Sequence, residues 1–87
     1  MAETPTAAEI AAHFSAMDDS VTLINATAAD DTEALAVWGT AAEVKLMITR
    51  NTDHLELQAT HSWYSDSSKS KTPYTGAVTA GKAYVAG

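Results

Sequence analysis

The chain carries two apolar stripes of identical period, and that repetition sets most of what it can fold into. Ile10, Phe14, Met17, Val21, Ile24 and Ala28 are spaced 4, 3, 4, 3 and 4 residues apart, and Val37, Ala41, Val44, Ile48, Asn51 and Leu55 repeat the same spacing. At about 3.6 residues per turn this spacing returns each side chain to one side of a helix, whereas a strand with one buried face needs a period of two. Projected at about 100° per residue, the second set falls within a strip roughly 80° wide. Two helices that each offer one apolar seam bury it against each other. The sequence therefore predicts a mainly α fold built on an antiparallel helical hairpin.

Local signals place the ends. Thr6-Ala-Ala-Glu9 is a capping box, in which the Thr hydroxyl can accept from the Glu amide while the Glu carboxylate reaches back to the Thr amide; it opens a helix expected over about 6–27. Asp18-Asp19-Ser20 is its weak point, because these side chains compete for local backbone groups and can split a helix in two. Asp30 and Glu33 repeat the capping-box spacing and open a second helix expected over about 31–63. Gly39 followed by Thr40-Ala-Ala-Glu43 offers an alternative, a short helix that stops and a new one that starts. Residues 64–72 hold four serines and read as a polar linker. Thr72-Pro73 then supplies an N-cap and a first-turn proline for a short C-terminal helix at 73–84, weakened by Gly76 and Gly81.

One competing architecture has to be weighed. Leu55, Leu57, Ala59, His61 and Trp63 alternate with polar residues, which is also the period of a strand, so an α+β fold with a hairpin at about 42–64, turning at Arg50-Asn51-Thr52-Asp53, is the alternative. The helical reading is preferred because its stripe runs through that turn without losing phase. At 87 residues the chain makes a single domain spanning 1–87, with one modest core.

The second helix has more apolar surface than the first can cover. Leu35, Trp38, Ala42, Leu46 and Leu57 project about 180° from its seam. That second stripe must meet the C-terminal helix, another copy or a different protein. Leu35, Trp38, Leu46, Leu57, Trp63 and Tyr64 are accordingly the candidate interface residues, since buried aromatic and aliphatic anchors dominate protein interfaces.

Charge narrows the partners. Residues 1–43 hold eight acids, namely Glu3, Glu9, Asp18, Asp19, Asp30, Asp31, Glu33 and Glu43, and no Lys or Arg, while all five bases lie in residues 44–87. A nucleic-acid binder needs clustered cations to displace counterions, so DNA or RNA is not an expected partner. Complementarity between subunits, or with a basic protein, is the functional use of such a division. The N-terminal residues lack the bases of a secretory signal, and no run of about 18 apolar residues could span a membrane, so neither export nor a membrane partner is expected.

The chemical motifs are incomplete. Gly76-Ala-Val-Thr-Ala-Gly81-Lys82-Ala83 matches a phosphate-cradling loop except that Ala83 replaces the Ser/Thr that holds magnesium, and no strand precedes it. His54 and His61 lie seven residues apart, about 10 Å along a helix, too far to share an ion. Asp18-Asp19 and Asp30-Asp31 lack the spacing of a calcium loop. With no cysteine there is no disulfide, thiolate site or cysteine nucleophile. No catalytic residue, metal site or cofactor is expected.

Asn51-Thr-Asp-His54-Leu55-Glu56-Leu57, a Trp-containing polar stretch, a proline and Gly81-Lys82-Ala83-Tyr84 resemble small helical proteins of tailed bacteriophages and prophages over about residues 44–85. The resemblance implies a non-enzymatic virion or assembly protein, a minor capsid, neck or tail accessory that packs on copies of itself or on other virion proteins. The alternative is a small acidic cytoplasmic adaptor that binds a basic protein.

Overall fold

A computed structural model describes residues 5–87; Glu3, counted among the acids above, lies outside them. Helix α1 (Ala7–Ala29) starts as Thr6 dictates. The Glu9 amide donates to Thr6 Oγ1 at 3.2 Å and the Thr6 amide to Glu9 Oε1 at 3.0 Å, so the box closes in both directions. The Thr6 amide first, and the Thr6 hydroxyl second, hold the Glu9 carboxyl below its usual range. The helix runs unbroken through Asp18-Asp19-Ser20, because Asp18 and Ser20 are engaged by other helices rather than by local backbone.

Past α1, Asp30 does not form the box with Glu33. Its carboxylate accepts from the Thr32 amide at 3.0 Å and the Thr32 hydroxyl at 2.6 Å, which lowers its own pKa and turns the chain into α2 (Thr32–Trp38). The expected continuous helix over 31–63 is replaced by three pieces. Gly39 adopts φ +92°, open to glycine and costly for other residues, and its amide closes α2 on the Leu35 carbonyl at 2.8 Å. Thr40 then turns extended and its Oγ1 accepts from the Glu43 amide at 3.2 Å, opening α3 (Ala41–Gln58). The short-helix alternative at Gly39 is the one that forms.

No strand occurs among the described residues, so the fold is mainly α, and Arg50-Asn51-Thr52-Asp53 is helix interior rather than a hairpin turn. The polar run from Gln58 onward ends α3. A one-turn helix, α4 (Ser62–Asp66), takes up Trp63 and Tyr64, and the next helix begins at Thr72, so the expected linker over 64–72 keeps only residues 67–71 outside helices. Helix α5 (Thr72–Ala86) follows with Lys71 as its N-cap and Pro73 in its first turn.

Three long helices build the core. α1 and α3 are antiparallel: Ser20 meets Asn51 and His54, while His13 and Phe14, a turn or two earlier, meet Trp63 and Tyr64. α5 lies against both and runs in the direction of α1, with Tyr74 reaching Asp18 and Tyr84 reaching Asp31. Met17, Ile24, Val44, Ile48 and Leu55 are fully buried among them. Gly81 lets α5 approach closely, since a Cβ there would run into the Thr52 hydroxyl of α3. Phe14, Trp63, Tyr64 and Tyr74 close one end in edge-on and stacked contacts 5.3–6.4 Å apart.

Candidate functional site

The break at Gly39 decides which apolar residues are left for a partner. Because α2 ends there, its side chains do not continue the phase of α3. Leu35, expected on the outer stripe, packs against the core, and Val37, expected in the seam, is 70% exposed beside Trp38 at 45%. Trp63 is partly buried, and Tyr64 is 7% exposed inside the monomer's own aromatic cluster; burial raises the Tyr64 pKa. Neither Leu35 nor Tyr64 is therefore placed to lead a contact. Trp38, Leu46 and Leu57 are exposed, the last at 63%.

Trp38 belongs to a groove of about 1010 Å³ between α1 and α2. Leu23 and Ala26 of α1 supply one apolar wall, and Ala34, Val37 and Trp38 of α2 the other. Asp19, Asp30 and Glu33 stand on its rim, and its lining contains no Lys, Arg or His. Leu23 and Val37 were not read as interface residues from the sequence. The signal that would have found Val37 is the Gly39-Thr40 break, since cutting the helix there removes the phase constraint that placed it inside; it carries no information on Leu23, which lies on α1.

Leu46 and Leu57 form a separate surface. The buried residues of α3, Val44, Ile48 and Leu55, face α1 and α5, and Leu46, Arg50, Asp53 and Leu57 project from the opposite side. All four are exposed. The sequence stripe through Leu46 and Leu57 is thus real on α3 but is not continuous with Trp38.

A polar cluster sits between α1 and α3. The Ser20 hydroxyl, 5% exposed, donates to Asn51 Oδ1 at 2.9 Å and lies 3.0 Å from His54 Nδ1, and Asn51 Nδ2 donates to the Met47 carbonyl at 2.9 Å. Asn51 Oδ1 takes the single hydroxyl proton, so Ser20 Oγ accepts from His54 Nδ1–H. The cluster fixes the register of the two helices, and none of its three side chains lines the groove between α1 and α2.

The remaining histidines are brought to a second hollow, lined among others by Ile10, Gln58 and Asp66, where His13 and His61 both stack on Trp63 with centroids 4.9 and 5.7 Å away. His61 has left the helix that carries His54, so the two do not share a face. Among the described residues no three His, Cys, Asp or Glu side chains gather to hold a metal ion. The glycine segment lies inside α5, with Gly76 facing open space and Gly81 pressed on Thr52; it forms no phosphate loop.

Of the acids, Asp18 and Asp31 accept hydrogen bonds from tyrosines within the fold, and Asp18 also lies beside a lysine. Tyr74 donates to Asp18 Oδ1 at 2.6 Å and Lys69 Nζ lies 3.4 Å from its Oδ2; Tyr84 donates to Asp31 Oδ2 at 3.0 Å. Desolvation first, and these carboxylates second, raise the pKa of both tyrosines. Asp19 and Glu33 have no such partner among the described residues and leave the groove rim negative. No helix among the described residues is long and apolar enough to cross a membrane. Comparisons with protein-family models, with curated proteins and with solved structures gave no match to the chain.

Proposed function

We propose that the chain is a non-enzymatic protein-interaction module that seats a basic amphipathic segment of a partner protein in the groove between α1 and α2. The observation that carries this reading is the combination of exposed apolar walls, Leu23 on one side and Val37 and Trp38 on the other, with acids Asp19, Asp30 and Glu33 that no cation of the lining offsets. A helix with leucines on one face and lysines at its margins matches both features, the first by burial and the second by charge. The groove is open to solvent rather than enclosed, which suits a segment better than a small metabolite.

Calorimetry with a synthetic Leu/Lys amphipathic helix, and with its Leu/Glu counterpart, tests the reading. The Lys peptide binds, its affinity falls as salt is raised, and the Glu peptide binds at least about tenfold more weakly. Trp38→Ala removes a central anchor and weakens the Lys peptide by about tenfold or more. Equal affinity for the two peptides, or indifference to Trp38→Ala, refutes it.

A second reading is a minor structural component of a phage particle, a capsid, neck or tail accessory. The resemblance of residues 44–85 supports it, as do Leu46 and Leu57, exposed on α3 where repeated subunit contacts can form. Stoichiometric recovery from purified particles distinguishes it from a soluble cytoplasmic adaptor, which is absent from them.

A further inference from the structure

The outward face of α3 reads the same in both directions. Leu46, Arg50, Asp53 and Leu57 are spaced 4, 3 and 4 residues apart and, at about 100° per residue, lie within a strip roughly 60° wide. The order is apolar, cation, anion, apolar. Turned end for end, it presents apolar, anion, cation, apolar, which is its own electrostatic complement.

We infer that this face is the contact between two copies of the chain, paired antiparallel about a two-fold axis that passes between Asn51 and Thr52 of each α3. In that register Leu46 meets Leu57 of the second copy at both ends, and Arg50 meets Asp53 of the second copy twice in the middle. Both kinds of pair form in the same register, because a two-fold contact matches positions of constant numerical sum and the leucines and the charges share one sum. The spacing is that of an antiparallel helix seam. Each component is available: Leu46 and Leu57 are 42% and 63% exposed, and neither Arg50 nor Asp53 makes an ion pair or side-chain hydrogen bond among the described residues. Charge elsewhere favours the same face. α1, with Glu9, Asp18 and Asp19, packs on the opposite side of α3, so pairing here keeps the most acidic helices of the two copies apart.

This contact is distinct from the groove between α1 and α2 and stands without it. It is small, so the dimer belongs to the weak class, with a dissociation constant of about 10 µM to 1 mM. Sedimentation equilibrium up to about 2 mM therefore shows reversible dimerisation of the wild-type chain. Asp53→Arg places cation on cation and Arg50→Asp places anion on anion, so each variant alone weakens association by about tenfold or more. Mixing the two restores association, because a pair with one of each has both charge contacts complementary. Circular dichroism of each variant matches wild type, since both side chains are exposed. The register has its own readout in a chain that lacks cysteine: Leu46→Cys mixed with Leu57→Cys forms a disulfide dimer, while either alone, with its sulfurs about 16 Å apart along the axis, does not. A wild-type chain that stays monomeric throughout, single charge variants that associate like wild type, a mixture that fails to recover, or cross-linking by one cysteine variant alone overturns the inference.

Discussion

Two glycines of α5, five residues apart, should respond to the same substitution in opposite directions. In a helix interior Gly→Ala stabilises by about 0.8–1 kcal/mol through propensity alone. Gly76 faces open space, so Gly76→Ala should realise most of that gain. At Gly81 the added methyl meets the Thr52 hydroxyl, which is buried and bonded to the Ile48 carbonyl at 2.8 Å. Either Thr52 rotates and leaves a buried hydroxyl without its partner, at about 1–3 kcal/mol, or α5 moves off the core, an overpacking cost of about 1–3 kcal/mol. Set against the propensity gain, Gly81→Ala should destabilise by up to about 2 kcal/mol. For a domain of this size that lowers Tm by up to roughly 8–16 °C, while Gly76→Ala raises it by a few degrees. Urea unfolding followed by far-ultraviolet circular dichroism measures both. Thr52→Ala in the Gly81→Ala background should recover part of the loss, since it removes the atom in the way, and the coupling should exceed about 0.5 kcal/mol. A Gly81→Ala protein as stable as Gly76→Ala would refute the close approach of α5 to α3, and with it the packing of the bundle.

Three further outcomes follow from particular contacts. Tyr74 has its pKa raised above 10.0 by burial and by Asp18, so its contribution is complete below pH 10 and is lost as pH rises through the folded value, because the unfolded chain gives up the proton first. Tyr74→Phe should cost about 1–2 kcal/mol at neutral pH and flatten the alkaline fall in denaturant midpoint. Neutral His54 should be the Nδ1–H tautomer, which nitrogen chemical shifts report directly, and Ser20→Ala should abolish that preference along with about 1–3 kcal/mol of stability. Thr40→Ala should remove the cap of α3 and cost about 1 kcal/mol in thermal unfolding.

The helices were legible in the sequence because the signals that define them are local. Thr6 with Glu9, and the stripe from Ile10 to Ile24, predict α1 to within a residue or two. The second helix was read too long because periodicity outweighed Gly39, although a single residue at φ +92° resets the phase of everything before it. That one misreading moved Leu35 to the wrong side and concealed Val37, so the groove was only half visible, through Trp38 and the acids. Trp63 and Tyr64 read as interface anchors because aromatic side chains are favoured at interfaces; their burial within the monomer depends on Phe14 and Tyr74, which the chain brings together from 50 residues upstream and ten downstream of Tyr64. Buried Ser20 and Thr52 carried no signal, since hydroxyls enter a core only when a specific partner is in reach, here Asn51, His54 and the Ile48 carbonyl. The Leu46–Leu57 face was legible, because it lies within one uninterrupted helix.

The groove between α1 and α2 is tested most directly by following backbone amide resonances while a Leu/Lys amphipathic helix is titrated into the protein. Occupation of that groove predicts saturable shifts concentrated at Asp19, Leu23 and Ala26 of α1 and at Glu33, Val37 and Trp38 of α2, suppressed by salt. Shifts centred instead on Arg50 and Asp53, or shifts that never saturate, would contradict it.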